Sequence, residues 1–316
     1  MTAGCTLLSL ESLGALRAHG RDTSAFLQGQ LSADVSQLAA DRSLLAGYHN
    51  PQGRVLALLR LFEVAPGEVL AVLPRELVAV VLARLSTFIL RSKVVLTDDS
   101  AHWRFEGLVG PVATPESPFA AHLPLLPGGV ARLGDSVALR VGEGRTRWLI
   151  ATPSVGPAQQ PNPALAGCEA APPELWRRLG VEAGEPQVYA STSGEFVAQM
   201  LNLDAVGAIA FDKGCYTGQE VIARAHYRGR VKRRLQRFRT AQPLALAPGD
   251  SGELTDGSAF RVVEAVRTAD QGCEFLAVAP LVTADAGAQA EASPPGNRAR
   301  ARVEAVRLPL PYALPD

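Results

Sequence analysis

The most informative stretch of the chain reads Lys213-Gly214-Cys215-Tyr216-Thr217-Gly218-Gln219-Glu220. Thr217 and Glu220 have the three-residue spacing of a capping box, in which a hydroxyl and a carboxylate bond the first free amides of a helix. The pattern predicts a helix that starts at Gly218 and ends before Gly229. Cys215 would then precede a helix N-terminus, where unpaired amides and the neighbouring Lys213 favour thiolate over thiol.

The same stretch allows a simpler interpretation. Cys215 would be a small, buried packing residue, and the glycines around it would only shape a turn that leads from a strand into a helix. Spacing alone does not choose between a reactive thiol and a packing thiol.

Length and composition describe a globular protein with more than one domain. The chain has 316 residues, of which 47% are hydrophobic and 20% charged. A chain of this length exceeds one ordinary core and predicts two or three domains. Its 31 Lys and Arg residues balance 31 Asp and Glu residues, so no overall field favours nucleic acid or membrane. Binding of either kind would have to be local.

The cysteines and the N-terminus predict a cytoplasmic protein. Cys5, Cys168, Cys215 and Cys273 include no CxxC pair, which gives no sign of a zinc or iron–sulfur site and fits a reducing compartment. The N-terminus lacks the pattern of a signal peptide, and the apolar runs are too short to cross a bilayer. We expect no membrane association.

Residue patterns predict both helices and strands. Residues 44–48 and 54–64 read as strands joined by a turn at 49–53, and apolar spacing predicts a helix from Pro74 to about Leu90. A further helix is expected at 174–179. Residues 101–170 mix short strands with proline-rich joints and predict a smaller domain. Strands at 260–268, 273–278 and 302–308 predict a small antiparallel barrel or sheet at the C-terminus.

Several familiar site motifs are absent from the sequence. It contains no phosphate-binding loop, no GxGxxG after a strand, no HExxH and no GxSxG. The histidines have no metal-ligand spacing, and we predict that each lies on the surface or is a core residue with satisfied hydrogen bonds. They are His19, His49, His102, His122 and His226. The prediction is that the chain has no metal site.

A basic strip rises above this neutral background. Between residues 221 and 240 there are eight basic residues and no acidic one: Arg224, Arg228, Arg230, Lys232, Arg233, Arg234, Arg237 and Arg239. Such a strip could meet phosphates, a polyglutamate tail or RNA. It could equally be a solvated edge whose counter-charges come from elsewhere in the fold. Only Tyr216, Tyr227 and Phe238 lie near enough in sequence to stack on bases.

The stretch from Lys213 to Glu220 resembles the signature of the YgfZ family, the folate-binding relatives of the glycine-cleavage T-protein, an aminomethyltransferase. Residues 195–204, the Gly207 turn and residues 223–234 also fit the pattern of this family. So do residues 28–35, 52–55 and 90–94. The resemblance covers most of the first 240 residues, and the octet around Cys215 makes it specific.

The resemblance implies an α+β, T-protein-like arrangement of three domains. A split folate-binding domain would comprise residues 1–100 and a return segment at 171–235. A ferredoxin-like middle domain would occupy residues 101–170, and a C-terminal β-barrel residues 236–316. These domains would enclose a cavity for tetrahydrofolate or a derivative.

The resemblance also implies a function and a set of site residues. Members of this family are implicated in assembly or repair of iron–sulfur clusters, and through client enzymes in tRNA modification. Cys215 would be the functional thiol, with Lys213 beside it. Glu195 resembles a pterin-binding carboxylate, since paired N–H donors of a pterin suit one carboxylate. Tyr216, Gln219, Arg224 and Arg228 are further candidate folate contacts, and Trp176 is a candidate neighbour of the ring or a core residue.

The sequence differs from the T-protein at the positions of two residues that take part in its catalysis. That enzyme follows its Asn-x-x-Gly turn, here Asn50 to Gly53, with two aspartates that carry out acid–base chemistry. Here Ala57 and Leu58 occupy those positions. The leading hypothesis is therefore an accessory protein rather than an aminomethyltransferase. The alternatives are a tRNA-interacting module that uses the basic strip and a one-carbon transferase with a different base.

Overall fold

The computed structural model describes residues 5–110, 122–154, 165, 167–229, 231–281 and 301–315. The α-helices in this part of the chain are α1 (Thr23–Gln30), α2 (Arg75–Ser86), α3 (Glu174–Glu182) and α4 (Gln219–Arg228). The first strands are β1 (Thr6–Ser9), β2 (Leu13–His19), β3 (Leu44–His49), β4 (Val55–Ala65), β5 (Glu68–Pro74) and β6 (Val95–Asp98). The next are β7 (Trp103–Val109), β8 (Val130–Leu133), β9 (Ser136–Arg140), β10 (Arg147–Pro153) and β11 (Glu169–Ala170). The last are β12 (Arg233–Thr240), β13 (Ser251–Leu254), β14 (Ala259–Arg267), β15 (Cys273–Pro280), β16 (Ala301–Val303) and β17 (Val306–Leu308).

The first sheet has the strand order β3-β4-β5-β2-β6, with each neighbouring pair antiparallel. The two strands predicted at 44–48 and 54–64 are β3 and β4, so that prediction is confirmed. Helix α2 covers one face and buries Leu77, Val78, Val81 and Leu85 at helical spacing. It ends at Ser86, several residues before the predicted end near Leu90.

The second sheet has the order β11-β1-β7-β10-β9-β8. Its strand β1 comes from the N-terminus, and the parallel pairing of β1 with β11 brings Cys5 beside Cys168. The two cysteines form a disulfide with their Cα atoms 4.7 Å apart. The two cysteines are 163 residues apart in the sequence. Their pairing depends on which strands become neighbours, so the sequence alone did not predict the disulfide.

The third sheet has the order β16-β13-β14-β15-β12-β17. The single strand predicted at 302–308 is wrong, because β16 pairs with β13 at one edge and β17 pairs with β12 at the other. Only Glu304 and Ala305 join these two short strands. A two-residue link can reach both edges only if the sheet curls and brings them close together, as in a barrel. The C-terminal sheet is thus strongly curled.

The largest core joins segments that are far apart in sequence. It contains Leu59 from the first sheet, Val81 from α2, Leu201 and Ile222 from the region near α4, and Leu276 from the curled sheet, each at most 2% exposed. Burying one such side chain contributes about 1.5–3 kcal/mol. The segment that carries residues 213–228 is therefore fixed against the first sheet by packing. The predicted domain limits stay a prediction.

Candidate functional site

Helix α4 begins in a different way from the predicted capping box. Gly218 is its N-cap residue, with φ of 83°, and no side chain caps the helix. Thr217 therefore does not cap, and the prediction of a capping box is wrong. The left-handed conformation of Gly218, which glycine adopts without a Cβ penalty, starts the helix instead. The helix begins at Gln219 and ends before Gly229, close to the predicted limits.

Lys213 anchors the loop that precedes α4. Its ammonium group donates hydrogen bonds to the carbonyl oxygens of Gln28, Leu31 and Ala33 at 2.8, 2.6 and 2.7 Å. Three acceptors match the three donors of an ammonium group, so all of its hydrogen-bonding capacity is used. Burial lowers the pKa of Lys213 to about 8, while the three carbonyl oxygens favour the charged form. Lys213 is placed to position the loop.

Two glycines form a second attachment for this loop. A Cβ on Gly218 would lie 2.6 Å from the carbonyl oxygen of Asn50 and 3.0 Å from the Cα of Gly53. Gly53, with φ of 70°, would in turn meet the side chain of Val221. The turn between β3 and β4 therefore packs backbone against backbone on the start of α4. Side chains at either glycine would push the two segments apart.

Tyr216 is the buried member of the loop. It is 7% exposed, and burial raises the pKa of its phenol to about 12. The Lys213 ammonium lies 5.1 Å from the centre of its ring. The imidazole of His49 lies on another side, with ring centres 6.2 Å apart. Tyr216 thus joins the loop to strand β3.

These attachments leave Cys215 facing solvent. Cys215 is exposed and free, whereas Cys273 is free and buried at 1% exposure. The interpretation of Cys215 as a buried packing residue is therefore wrong. Gly214 beside it has no atom within 4 Å of where a Cβ would lie. The signature holds an accessible thiol between two anchored residues, Lys213 and Tyr216.

His49 is the functional candidate that the sequence missed. It is 1% exposed, and neither ring nitrogen makes a well-formed hydrogen bond in the described part of the chain, although the backbone of Gly47 lies close enough to favour the protonated ring. The prediction of a surface or satisfied histidine is therefore wrong for this residue. Burial lowers the pKa of His49 to about 4, so the ring is neutral near pH 7. An unsatisfied buried polar group costs about 1–3 kcal/mol.

The sequence contains a feature that points to His49, namely a glycine two residues before it. Residues 47 and 49 lie on the same face of β3, and a Cβ on Gly47 would lie 2.4 Å from the Cε1 atom of His49. Gly47 therefore leaves room for the imidazole. A glycine followed by a histidine at this spacing could have been read as a paired feature of one strand face.

An open cleft lies beside His49 and the Cys215 loop. Its volume is about 410 Å³, and its lining includes Tyr48, His49, Asn50, Arg84, Phe88 and Thr217. Small-molecule pockets typically measure about 300–1,000 Å³. The cleft therefore has room for a ligand of that class, and Thr217 brings its wall within two residues of Cys215.

A second, smaller cavity lies where the first and second sheets meet. Leu58, at one of the two aspartate positions of the T-protein, lines it together with Trp176, Arg60 and Glu185. Its volume is about 70 Å³, far below that of a typical ligand pocket. Trp176 borders this cavity, and its role as a ring neighbour or a core residue stays a prediction. As it stands, the cavity does not fit a folate.

Charge pairing closes that cavity on one side. Glu185 forms ion pairs with Arg60 and Arg147. Burial acts to raise the pKa of Glu185, but the charges of Arg147 and Arg60 outweigh it and hold the pKa below its usual value. The carboxylate is thus ionised and fully engaged.

Glu195, the predicted pterin carboxylate, is also engaged in an ion pair. Arg261 bonds both of its oxygens, with 2.7 Å between the arginine Nε and Oε2. A pterin would have to compete with this guanidinium. The role of Glu195 stays a prediction.

Several residues of the basic strip form ion pairs with acidic residues elsewhere in the fold. The C-terminal half of the strip forms three ion pairs, Arg234 with Asp204, Arg237 with Glu274 and Arg239 with Asp270. The counter-charges thus come from elsewhere in the fold, as one of the two interpretations predicted. Arg224 and Arg228, on the exposed face of α4, form no ion pair among the described residues. Arg230 lies outside those residues.

The aromatic residues near the strip differ in exposure. Tyr216 and Phe238 are buried at 7% and 0%, so neither can stack on a base, whereas Tyr227 is 68% exposed. Among the described residues, no group of three His, Cys, Asp or Glu side chains is arranged to hold a metal ion. None of the helices described is long and apolar enough to cross a bilayer.

Comparison with known proteins gives close relatives and a shared fold. No protein-family model matches the chain. The chain is 33% identical over 271 residues to the tRNA-modifying protein YgfZ of Shigella sonnei, covering 84% of this chain and 82% of that protein. It is similar at the same identity and coverage to the protein of the same name from Escherichia coli O157:H7.

A solved structure shares the fold. The glycine cleavage system aminomethyltransferase T from Bartonella henselae superposes with a TM-score of 0.70 at 17% identity, covering 88% of this chain and 79% of that one. This likeness confirms the predicted α+β, T-protein-like arrangement.

The contact between Gly218 and the Asn50–Gly53 turn predicts a local stability effect. Gly218→Ala should lower the free energy of unfolding by about 1–3 kcal/mol, because it adds a Cβ at positive φ against a carbonyl oxygen. Gly214→Ala, where a Cβ meets nothing, is the matched control and should change it by less than about 0.5 kcal/mol. Denaturant unfolding measures both. Equal effects of the two substitutions would contradict the close contact.

Burial of neutral His49 predicts a dependence of stability on pH. Between pH 6.5 and 4 the unfolded chain binds a proton at this histidine that the folded protein does not, so acid favours unfolding. From pH 7 to pH 4 the wild type should lose about 3 kcal/mol more of its unfolding free energy than His49→Phe. Denaturant unfolding at the two pH values tests this. Parallel losses in the two proteins would show that His49 titrates normally in the folded state.

Proposed function

The chain belongs to the YgfZ family, and from that premise we propose that it is a folate-binding accessory protein that supports tRNA modification. Its clients would be iron–sulfur enzymes, whose clusters it helps to assemble or repair. The observation that carries the proposal is the exposed thiol of Cys215 on a loop fixed at Lys213, Tyr216 and Gly218. A loop held so firmly around one accessible cysteine is arranged to present that side chain.

The folate part of the proposal rests on the shared fold and on the family. The relatives named above carry a role in tRNA modification in their names, and the fold is that of an aminomethyltransferase. Glu195, Tyr216, Gln219, Arg224 and Arg228 are the proposed folate contacts. Of these, Arg224 and Arg228 stand on an exposed helix face, where they could meet the carboxylates of a folate tail or a partner protein.

Transfer of an aminomethyl group is not part of the proposal. Ala57 and Leu58 are buried at 0% and 3% and provide no acid or base at the aspartate positions of the T-protein. Cys215 is the group proposed to act on the client. Helix α4, which carries Glu220 in its first turn, begins at Gln219, four residues after Cys215.

Substitution of Cys215 tests the proposed thiol. Cys215→Ala and Cys215→Ser should fail to restore an iron–sulfur-dependent tRNA modification in a strain that lacks its own YgfZ, leaving it at the level of the deletion strain. Cys273→Ala, which removes the buried free thiol, should restore it. The modified nucleoside is measured by mass spectrometry of total tRNA.

A folding control accompanies this experiment. Because Cys215 is exposed, Cys215→Ala should unfold within about 0.5 kcal/mol of the wild type. Full restoration of the modification by the stable Cys215→Ala protein would remove the thiol from the mechanism.

A further inference from the structure

Helix α4 presents two exposed arginines on one face. Arg224 and Arg228 are exposed and form no ion pair among the described residues. Residues four apart on a helix are neighbours on its surface, with their Cβ atoms about 5–6 Å apart. The one acidic residue of this helix, Glu220, lies in its first turn. The second half of α4 therefore carries a pair of regularly spaced cations.

These arginines lie beyond a proposed folate contact on the same helix. Helix α4 begins at Gln219, and with a rise of about 1.5 Å per residue Arg224 and Arg228 lie about 8 and 14 Å further along its axis. Val221, which is 40% exposed, shares their face. A ligand that contacts Gln219 and extends along α4 would meet the two arginines one after the other.

Much of the remaining basic strip is engaged within the fold. Arg234, Arg237 and Arg239 form ion pairs with acidic residues. The guanidinium group of Arg233 donates a hydrogen bond to the carbonyl oxygen of Ala259 at 2.7 Å. Proteins that follow a nucleic-acid backbone use a longer row of cations, about 6–10 phosphate contacts. The pair on α4 suits a short anionic ligand better than an RNA strand.

The tail of a polyglutamylated folate has a matching spacing of charges. Its glutamates are linked through their γ-carboxyl groups, so each one keeps a free α-carboxylate. One repeat extends the tail by up to about 6 Å, because its backbone has two more carbons than an ordinary peptide residue. Successive carboxylates therefore recur at the spacing of Arg224 and Arg228. Each guanidinium group can hold one carboxylate through two parallel N–H···O bonds.

We propose that α4 binds the γ-linked polyglutamate tail of a reduced folate, so that the ligand class is a folate polyglutamate rather than a monoglutamate. The inference rests on the proposed function for the folate itself. Arg224 binds the glutamate nearer the ring and Arg228 the next one, in their order from Gln219. The two arginines thus select for the length of the tail.

Calorimetric titration of the full-length protein with two probes tests this selection. The probes are 5-formyltetrahydrofolate with one glutamate and the same folate with five. The wild type should bind the pentaglutamate about tenfold more tightly, as expected for two exposed charge-assisted contacts. The ratio should fall at high salt, since screening weakens exposed charge pairs.

A double variant and a matched control locate the effect on α4. In the protein that carries both Arg224→Gln and Arg228→Gln, the ratio of the two affinities should fall below about twofold. Arg239→Gln removes an exposed arginine of the same strip that pairs with Asp270, and it should keep the wild-type ratio. Thermal unfolding at the wild-type midpoint shows that the double variant is folded.

The outcomes separate this inference from the proposed function. Equal affinity of the wild type for the two probes would overturn the inference and leave the proposed function intact, as would a wild-type ratio in the double variant. Absence of binding of both probes would overturn the folate part of the proposed function and the inference with it. Equal affinity for the two folates, together with tRNA binding that the double variant loses, would assign α4 to RNA instead.

Discussion

The site depends on one half-buried cation, Lys213, and the three carbonyl oxygens that accept its hydrogen bonds. The ammonium group of Lys213 ties the loop before α4 to residues 28–33, which lie about 180 positions earlier in the chain. A charge that is partly removed from water is stabilised by hydrogen bonds of this kind, so the arrangement requires both segments to be in place. The loop therefore takes up its conformation only when these two segments, far apart in sequence, have come together.

The remaining contacts of the loop follow from this attachment. Gly218 and Gly53 bring two backbones to within the distance that a side chain would occupy, and Tyr216 fills the space beside His49. Each of these residues holds the loop in place. Gly214 and Cys215 make none of these contacts and face solvent. The same attachments set the Asn50–Gly53 turn against the start of α4 and so shape the wall of the cleft. The same contacts therefore determine both the exposure of the Cys215 thiol and the shape of the cleft.

Local signals in the sequence predicted the elements but not their partners. Apolar runs on either side of a turn with Pro and Gly predicted β3 and β4, and apolar residues at helical spacing predicted α2, because each of these patterns lies within a single element or turn. The capping box failed because Gly218 could begin the helix without a side-chain cap. The division of residues 302–308 between two sheet edges, the Cys5–Cys168 disulfide and the pairing of Arg234 with Asp204 all depend on contacts across the fold. No local sequence pattern indicates such contacts. The lack of well-formed hydrogen bonds at the ring nitrogens of His49 likewise depends on how distant segments pack.

Hydrogen exchange in Lys213→Met tests the central role of this attachment most directly. The substitution keeps a long apolar side chain but removes the three hydrogen bonds. Exchange should accelerate both at residues 213–219 and at residues 28–35, while strand β15 of the curled sheet keeps its wild-type protection. Unchanged protection in both segments would contradict the account, because the loop would then be held without the hydrogen bonds of its ammonium group.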